Sequence, residues 1–193
     1  MDTIPRLNLD KIFFRNCKYE DIPQVMAVNR KVLPENYSRS MFLSMYNLYK
    51  DIFFVAIDES NRNIIGYIMN KLDVTKSFFD NSKIVTKGHI FSIGVLPEYR
   101  RRGIASALLS LGVMSMVKRR NAKEIFLEVR VSNKPAINLY KKFGMRIFEE
   151  VPYYYQDGES AYLMVARAED MLPIVEKIVQ ELKEKGKYRN GVI

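Results

Sequence analysis

The residues that most clearly suggest a binding site are three consecutive arginines, Arg100, Arg101 and Arg102, which are followed by Gly103. They separate residues 89–96, apolar enough for a buried strand, from a run with helical apolar spacing. The first N–H groups of a helix have no internal partner and lie at the positive end of its dipole, so they attract anions. Arginines add charge-assisted contacts. We therefore predict a phosphate-binding turn, and favour it over a solvated basic turn because the charges coincide with the glycine-opened helix start.

A second helix start, at Asn133, has an ordinary structural explanation. Asn133 can cap the helix predicted over residues 134–143, and Pro135 stands in its first turn, where a missing N–H is harmless. Tyr140 lies on the same predicted helix and is as suited to the core as to catalysis. The residues alone leave the role of Tyr140 open.

Strands and helices alternate around these two turns in the order β-α-α-β-β-β-α-β-α-β-β, which indicates one mixed sheet. Helices are expected after Asp21 and Ser38, over residues 102–120 and 134–143, and from residue 168 to about 185. The predicted strands cover residues 12–14, 52–57, 64–69, 89–96, 124–129, 145–151 and 160–166. Residues 74–86 are polar without a strong period, so we expect a surface loop there.

The composition is that of a single domain. At 193 residues and 48% hydrophobic, the chain can bury a core without disulfides, and its single cysteine, Cys17, excludes an internal disulfide or a multi-cysteine zinc site. No apolar run approaches the ~20 residues that cross a bilayer, and no signal-peptide core is present. We expect a cytoplasmic protein with no membrane partner. The net charge of +9 indicates an anionic partner, although its clusters do not form the continuous stripe of an RNA-binding sheet.

Several motifs resemble those of a known superfamily. Arg100-x-x-Gly103-x-Ala105 is similar to the acetyl-CoA pyrophosphate loop of the GCN5-related N-acetyltransferases (GNAT), and residues 132–145 resemble their second signature. The closer resemblance is to the protein N-terminal acetyltransferases, including the archaeal enzyme, the NatA catalytic subunit and the bacterial enzyme for a ribosomal-protein alanine. The motifs that carry it are residues 33–37, 88–89, 127–130 and 154–164.

The resemblance implies an α/β (α+β) GNAT fold with a mixed, mostly antiparallel sheet of about seven strands, flanked by about four helices plus a C-terminal helix. It divides the chain into a lead-in (1–11), an acetyltransferase domain (12–167) and a C-terminal helix with a basic tail (168–193). Acetyl-CoA is then the co-substrate, and its pantetheine arm can pair with an exposed strand edge as a peptide would. The residues implied in holding it are Ile93, Gly94, Val95, Arg100, Arg101, Arg102, Gly103, Ile104, Ala105, Asn133 and Tyr140.

The resemblance also implies direct acetyl transfer to a free α-amino group, without a covalent acyl-enzyme. Tyr140 would protonate the departing thiolate, and Glu35, His89 and Glu128 are the available bases, directly or through a water. Each base has a structural alternative: a solvated turn residue for Glu35, a core histidine for His89 and a salt-bridge partner for Glu128. For His89 the catalytic and the structural role are equally favoured, whereas for Glu35 and Glu128 the catalytic role is favoured.

Leu33, Tyr37, Tyr154 and Tyr155 are the expected contacts of the peptide substrate. The tyrosines near residue 154 could instead be solvent-facing strand residues; we favour the substrate role. The expected partners are protein or nascent-peptide N-termini, together with the ribosome through the basic tail from Lys183 onward.

A small-amine or lysine acetyltransferase and a ribosome- or nucleic-acid-binding module stay open as alternative functions. We expect a monomer without specific nucleic-acid binding. We expect no metal, because His89 and Glu128 are too few ligands for a catalytic zinc site.

Overall fold

Runs of β-branched and aromatic residues form the strands of the computed structural model, which describes residues 7–189. Within these residues the sheet has seven strands. They are β1 (Ile12–Asn16), β2 (Phe54–Asp58), β3 (Ile64–Lys76), β4 (Ile84–Val95), β5 (Glu124–Arg130), β6 (Arg146–Val151) and β7 (Ala161–Arg167).

Five α-helices accompany the strands within the described part of the chain: α1 (Ile22–Val32), α2 (Arg39–Tyr49), α3 (Ile104–Arg120), α4 (Lys134–Lys142) and α5 (Ala168–Glu184). The caps predicted at Ser38 and Asn133 are present, because the Ser38 hydroxyl accepts the Met41 N–H at 3.2 Å and Asn133 Oδ1 accepts the Ala136 N–H at 3.3 Å. The cap predicted before α1 is wrong, since the Asp21 side chain makes no cap hydrogen bond to that helix and accepts from Arg15 instead. None of the helices within residues 7–189 has the length and apolar character that a membrane crossing requires.

The strands follow the order β1-β2-β3-β4-β5-β7-β6. Every neighbouring pair is antiparallel except β4 and β5, which are parallel. The predicted element order and the mixed, mostly antiparallel sheet are therefore confirmed.

The pairing of β4 with β5 stops early. Only Lys87, Gly88 and His89 of β4 pair with β5, although β4 continues to Val95. A β-bulge lies two residues beyond the last pair, since Ser92 lies opposite Met69 while Ile90 lies opposite the next residue of β3, which leaves Phe91 as the extra residue. A bulge bends its strand and increases the local twist. Beyond His89 the two strands therefore diverge and leave a slot in the sheet.

Helices cover both faces of the sheet. Consecutive residues of a strand point to opposite faces of the sheet. On one face, a Cβ on Gly66 would lie 3.3 Å from Leu108 of α3. On the other face, the hydroxyl of Tyr67 accepts a hydrogen bond from Asn29 of α1 at 2.9 Å. Helix α3 is buried almost all round, with α5 packed along it. The slot is thus framed by α1 on one face and α3 on the other.

The predicted loop at residues 74–86 is wrong at both ends. Strand β3 runs to Lys76 and β4 begins at Ile84, so only residues 77–83 form the connection. The two strand ends pair in register from Val74 with Thr86 to Lys76 with Ile84. Since both of their faces are largely exposed, they lack the alternation of apolar and polar residues by which a half-buried strand is recognised.

The C-terminal segment joins the same structure. Residues Val175, Ile178 and Leu182 of α5 lie in the main core, and Tyr188 forms a parallel bridge with Phe14 at the outer edge of β1. The division at residue 167 thus falls between β7 and α5. Residues 1–6 of the lead-in and 190–193 of the tail lie outside the described residues.

Candidate active site

The backbone of β4 faces the slot at alternate residues. The Leu96 N–H donates to Ile65 O of β3 at 2.9 Å, while Val95 O accepts from Arg100 Nε at 3.1 Å on the other side. Because backbone groups alternate along a strand, Ile93 and Val95 direct their N–H and C=O groups into the slot. Those of Gly94 face β3. An amide-containing ligand arm can therefore pair with two of the three residues that we predicted.

Gly94 has a packing role instead. A Cβ at this position would lie 2.6 Å from Val32 Cγ2 and 3.1 Å from the ring of Tyr67. The missing side chain thus lets the last turn of α1 approach the sheet. This contact positions residues 33–37, which follow α1.

The turn before α3 has the geometry of an anion site. Gly103 has a left-handed φ of 87° and, as the cap of α3, offers no side chain to its first N–H groups. Arg101 is also left-handed, with a φ of 62°. The N–H groups of Ile104 and Ala105 open the helix, where its dipole favours an anion. The residues present therefore fit a pyrophosphate.

The three arginine side chains do not converge on this turn. Arg102 Nε donates to Asn8 O at 3.2 Å and its Nη2 donates to Asp10 O at 2.9 Å, so this guanidinium holds the N-terminal segment. Arg100 and Arg101 are exposed, with only Arg100 Nε engaged by Val95. This differs from the prediction that Arg102 contacts an anion: its guanidinium stabilises the turn, and those of Arg100 and Arg101 are left for an anion.

Helix α4 presents Asn133 and Tyr140 in different environments. Asn133 is exposed, and its Oδ1 caps the helix, which leaves the amide N–H groups for a ligand. Tyr140 is buried, and burial raises the pKa of its phenol. The hydroxyl is thus held in the protonated form that a proton donor needs.

His89 and Glu128 meet on one face of the sheet beside the slot. His89 Nε2 lies 2.7 Å from Glu128 Oε2, and the imidazole stacks on Phe126 with ring centroids 4.2 Å apart. Burial raises the pKa of the Tyr154 phenol to about 12, and the nearby charge of Glu128 adds to this shift. Two of the predicted bases, His89 and Glu128, therefore form one hydrogen-bonded pair, with Tyr154 near Glu128.

Glu35 lies in a different cluster, which is built around Arg130. Arg130 Nη2 donates to Glu35 at 2.5 Å, and Nη1 donates to Asp157 at 2.7 Å and to Glu159 at 2.6 Å. Its guanidinium also lies 4.0 Å from the centroid of the Tyr155 ring. One cation thus joins the loop after α1 to the loop between β6 and β7. We call this cluster the loop clamp.

The predicted substrate residues line the space between these loops. Tyr37 packs on Phe91 with ring centroids 5.0 Å apart, and Tyr154 on Tyr155 at the same distance. Burial, followed by the charges of Glu35 and Glu128, raises the pKa of Tyr37 to about 12. Leu33, which follows the last residue of α1, is partly exposed, whereas Tyr153 is 85% exposed.

Sequence reasoning missed Arg130 and Asp73 as members of the site. Arg130 is two residues beyond Glu128 and therefore on the same strand face, a signal that was available. Asp73 Oδ2 lies 3.7 Å from His89 Nδ1 across β3 and β4, a pairing that only the register fixes. Within residues 7–189 no group of three or more His, Cys, Asp or Glu side chains is arranged to hold a metal ion.

Several known proteins are similar to this chain in sequence or in fold. An N-alpha-acetyltransferase of Sulfurisphaera tokodaii is 46% identical over 156 residues, which cover 79% of this chain and 90% of the relative. Naa20 of Chaetomium thermophilum, solved with a bisubstrate analogue, matches with a TM-score of 0.72 and 29% identity over 83% of this chain and 88% of that one. Arabidopsis thaliana NAA60, solved with acetyl-CoA, matches with a TM-score of 0.70 and 27% identity over 81% and 99%.

The family model described as "Acetyltransferase (GNAT) family" matches residues 22–145, a stretch that contains the diverging strands, the arginine turn and the start of α4. The same stretch holds Glu35, His89, Glu128 and Tyr140. The chain therefore belongs to the acetyltransferase (GNAT) family.

Proposed function

We propose that this chain transfers the acetyl group of acetyl-CoA directly to the free α-amino group of protein N-termini, without a covalent acyl-enzyme. The observation that carries the proposal is the meeting of Glu128, His89 and Tyr154 beside the slot, between two loops joined by Arg130. The relatives support it, since one is named an N-alpha-acetyltransferase and Naa20 was solved with a bisubstrate analogue.

The donor is held by the backbone and the arginine turn. Ile93 and Val95 pair with the amides of the pantetheine arm, while Ile104 and Ala105 donate their N–H groups to the pyrophosphate. The charges of Arg100 and Arg101 strengthen this contact. Asn133 adds an amide donor from the start of α4.

Acetyl transfer requires a neutral amine and protonation of the leaving thiolate. Glu128 accepts the amine proton, directly or through a water, because its carboxylate lies beside the slot and one oxygen is free of His89. Glu35 is less suited, since Arg130 occupies its carboxylate. Tyr140 gives its proton to the thiolate as the carbon–sulfur bond breaks.

The acceptor is an α-amine because its proton is easier to remove. An α-amino group has a pKa near ~8, against ~10.4 for a lysine side chain, so a carboxylate with a bridging water suffices. Leu33, Tyr37, Tyr154 and Tyr155 enclose the first peptide residue, and the loop clamp restricts the opening. The side-chain amine of an internal lysine is therefore disfavoured as the acetyl acceptor.

The decisive assay offers acetyl-CoA and matched peptides with free or blocked α-amines, each containing one lysine. We expect acetylation of free N-termini only, located by mass spectrometry. Acetylation of lysine in the blocked peptides alone would contradict the proposal, and acetylation of small polyamines in preference to peptides would favour a small-amine enzyme.

Glu128→Gln separates an enzyme from a binding module. We expect a loss of turnover of about 10²-fold or more, the usual contribution of a positioned base, with acetyl-CoA binding retained. Glu149→Gln on exposed β6 is the matched control and should leave turnover unchanged. Unchanged turnover in Glu128→Gln would remove this residue from the mechanism.

We further propose that the reaction needs no metal ion. His89 and Glu128 are engaged with each other and supply only two ligands, fewer than a catalytic zinc site uses. Dialysis against excess chelator should leave the rate unchanged. A full loss that zinc restores would contradict this.

The basic C-terminal tail supports a proposal that a cytoplasmic monomer meets nascent chains at the ribosome. Arg189 belongs to a pocket of about 300 Å³ that is also lined by Arg15, Lys18 and Arg62. Co-sedimentation with ribosomes should weaken in Arg62→Glu/Arg189→Glu while acetylation of free peptides persists. Undiminished co-sedimentation would exclude this pocket as the contact.

A further inference from the structure

Three buried side chains are hydrogen-bonded to one another across the interface between α1 and the sheet. Asn29 Nδ2 of α1 donates to the Tyr67 hydroxyl of β3 at 2.9 Å, and this hydroxyl lies 2.7 Å from Ser92 Oγ of β4. We call these three residues the Tyr67 network. Each of them is at most 5% exposed, so the network links α1 to β4 away from bulk water.

The hydroxyl of Tyr67 is the central member of the network. An amide nitrogen can only donate, so the bond from Asn29 uses a lone pair of the phenol oxygen and leaves the phenol proton for Ser92 Oγ. Burial raises the pKa of Tyr67 to about 12, which keeps that proton in place at neutral pH. Removal of this hydroxyl would leave Asn29 and Ser92 without the partner that they share.

One end of the Tyr67 network lies at the bend of β4. Ser92 follows Phe91, the extra residue of the β-bulge, and precedes Ile93, whose backbone groups face the slot. The ring of Tyr67 also packs against Gly94, since a Cβ there would lie 3.1 Å from it. Tyr67 therefore fixes the part of β4 that receives the pantetheine arm in the proposed function.

The other end of the network lies one helical turn before residues 33–37. The Leu33 N–H donates to Asn29 O at 2.9 Å, so the residue that bonds to Tyr67 also ends α1. The loop that begins there carries Tyr37, which encloses the first peptide residue in the proposed function. A shift of α1 relative to the sheet would therefore move the acceptor side of the site.

We propose that Tyr67 is a positioning residue of the acetyl-transfer site, which holds the loop after α1 and the bend of β4 at a fixed separation through Asn29 and Ser92. The inference rests on the proposed function. Acetyl transfer needs the amine nitrogen and the thioester carbon about 3–3.5 Å apart, and a misplacement of about 1 Å can cost 10²-fold in rate. Hydrogen bonds weaken steeply when their geometry changes, so the network favours one placement of α1 over β4.

Tyr67→Phe tests the proposal because it removes the hydroxyl and keeps the ring. We expect kcat to fall about 10-fold while the KM values for peptide and acetyl-CoA stay within about twofold, since neither substrate loses a contact. Rates are expressed per binding site, counted by calorimetric titration with CoA, so that unfolded protein does not lower kcat. Tyr188→Phe is the control and should keep the wild-type kcat, because its buried hydroxyl has no partner in the described residues.

Substitutions of Ser92 test the other end of the network. Ser92→Ala should lower kcat about as much as Tyr67→Phe, whereas Ser92→Thr keeps a hydroxyl and should retain most of the rate. In the double variant the two losses should not multiply, because both substitutions remove the same hydrogen bond. Ser110→Ala is the matched control, since Ser110 is a buried serine of α3 whose hydroxyl donates to Ser106 O at 2.8 Å.

An unchanged kcat in both Tyr67→Phe and Ser92→Ala would overturn the proposal. Losses that multiply in the double variant would also overturn it, as would an equal loss in Ser110→Ala, which would indicate a general effect of stability. A rise of the peptide KM with kcat retained would contradict it, because the network would then affect binding alone. If the chain acetylates only lysine, the proposed function fails, whereas the same comparison with a lysine peptide still tests Tyr67.

Discussion

The hydroxyl of Tyr140 lies on the buried side of α4, where burial raises the pKa of the phenol. A phenol with a raised pKa keeps its proton until negative charge develops on the departing sulfur, and so donates it in the transition state. Tyr140→Phe should therefore lower kcat about 10²-fold with little change in either KM, as expected for a group that acts in the transition state. Steady-state release of free thiol measures the rate.

Tyr188→Phe is the matched control for this prediction. Its hydroxyl is also buried, has no hydrogen-bond partner in the described residues and lies at the far edge of the sheet beside Phe14. We expect unchanged kinetics. Equal losses in both variants would mean that Tyr140 contributes packing only.

The sequence predicts where the arginines of the site lie better than it predicts which groups their side chains contact. Arg102 was predicted to contact the anion, yet its guanidinium reaches Asn8 and Asp10, which are more than 90 residues away in sequence. Arg130 could have been predicted as a site residue from the two-residue period of a strand. Its three carboxylate partners could not, because they come from two separate loops.

The loop clamp joins the loop after α1 and the loop before β7 through one side chain. Arg130→Ala should raise the KM for peptide about 10-fold, because the loops after α1 and before β7 lose their shared ion pairs. The KM for acetyl-CoA should stay constant, since the donor is held elsewhere. Initial rates over a matrix of both substrates give the two constants.

Arg146→Ala is the control for the clamp. It removes a cation that stacks on Phe79 and has no carboxylate within salt-bridge distance in the described residues. An equal rise of the peptide KM in both variants would mean that the effect comes from net charge. A change in the KM for acetyl-CoA alone would contradict the role of the loop clamp.

The turn at residues 77–83 is fixed to the sheet by a buried carboxylate. Glu124 accepts hydrogen bonds from the Ser77 hydroxyl and, at 2.9 Å, from the Phe78 N–H. Glu124→Ala should lower the free energy of unfolding by about 2–3 kcal/mol, because it leaves two donors without a partner. Urea denaturation measures this, with exposed Glu150→Ala as the control. A difference between the two below about 0.5 kcal/mol would show that water replaces the carboxylate.

At the level of elements, periodicity predicted every helix and strand but misplaced the ends of β3 and β4. Those ends extend beyond the body of the sheet, so burial does not impose an alternating pattern on them. Phe78 and Phe79, which pack the turn against Phe126, lie in a segment that otherwise has the composition of a loop. Such a contact depends on strand order, which local sequence does not contain.

For the whole molecule, the sequence predicted an anion site at the start of α3, and the left-handed turn at Gly103 has a geometry that suits one. The slot itself was not predictable. It requires the bulge at Phe91 and the early end of pairing between β4 and β5, features that arise only when three strands are aligned.

The pH dependence of the reaction tests the electrostatics of the whole site. Burial raises the pKa of Tyr37 and of Tyr154 to about 12, and also raises those of Tyr140 and Tyr155. A raised phenol pKa keeps the neutral form at higher pH. With a free N-terminal peptide, kcat/KM should therefore rise as the α-amine deprotonates near pH ~8 and then stay level to pH ~10, the ordinary pKa of tyrosine.

The same profile distinguishes the two classes of acceptor. A peptide that offers only lysine should show its rise displaced by about two pH units, since the side-chain amine has a pKa of ~10.4. At pH 8 its kcat/KM should be lower by about 10²-fold from the neutral amine fraction alone. A fall of kcat/KM near pH 10 with the N-terminal peptide would mean that a phenol ionises at its ordinary value. The enclosed tyrosine environment between the clamped loops would then not persist in the working enzyme.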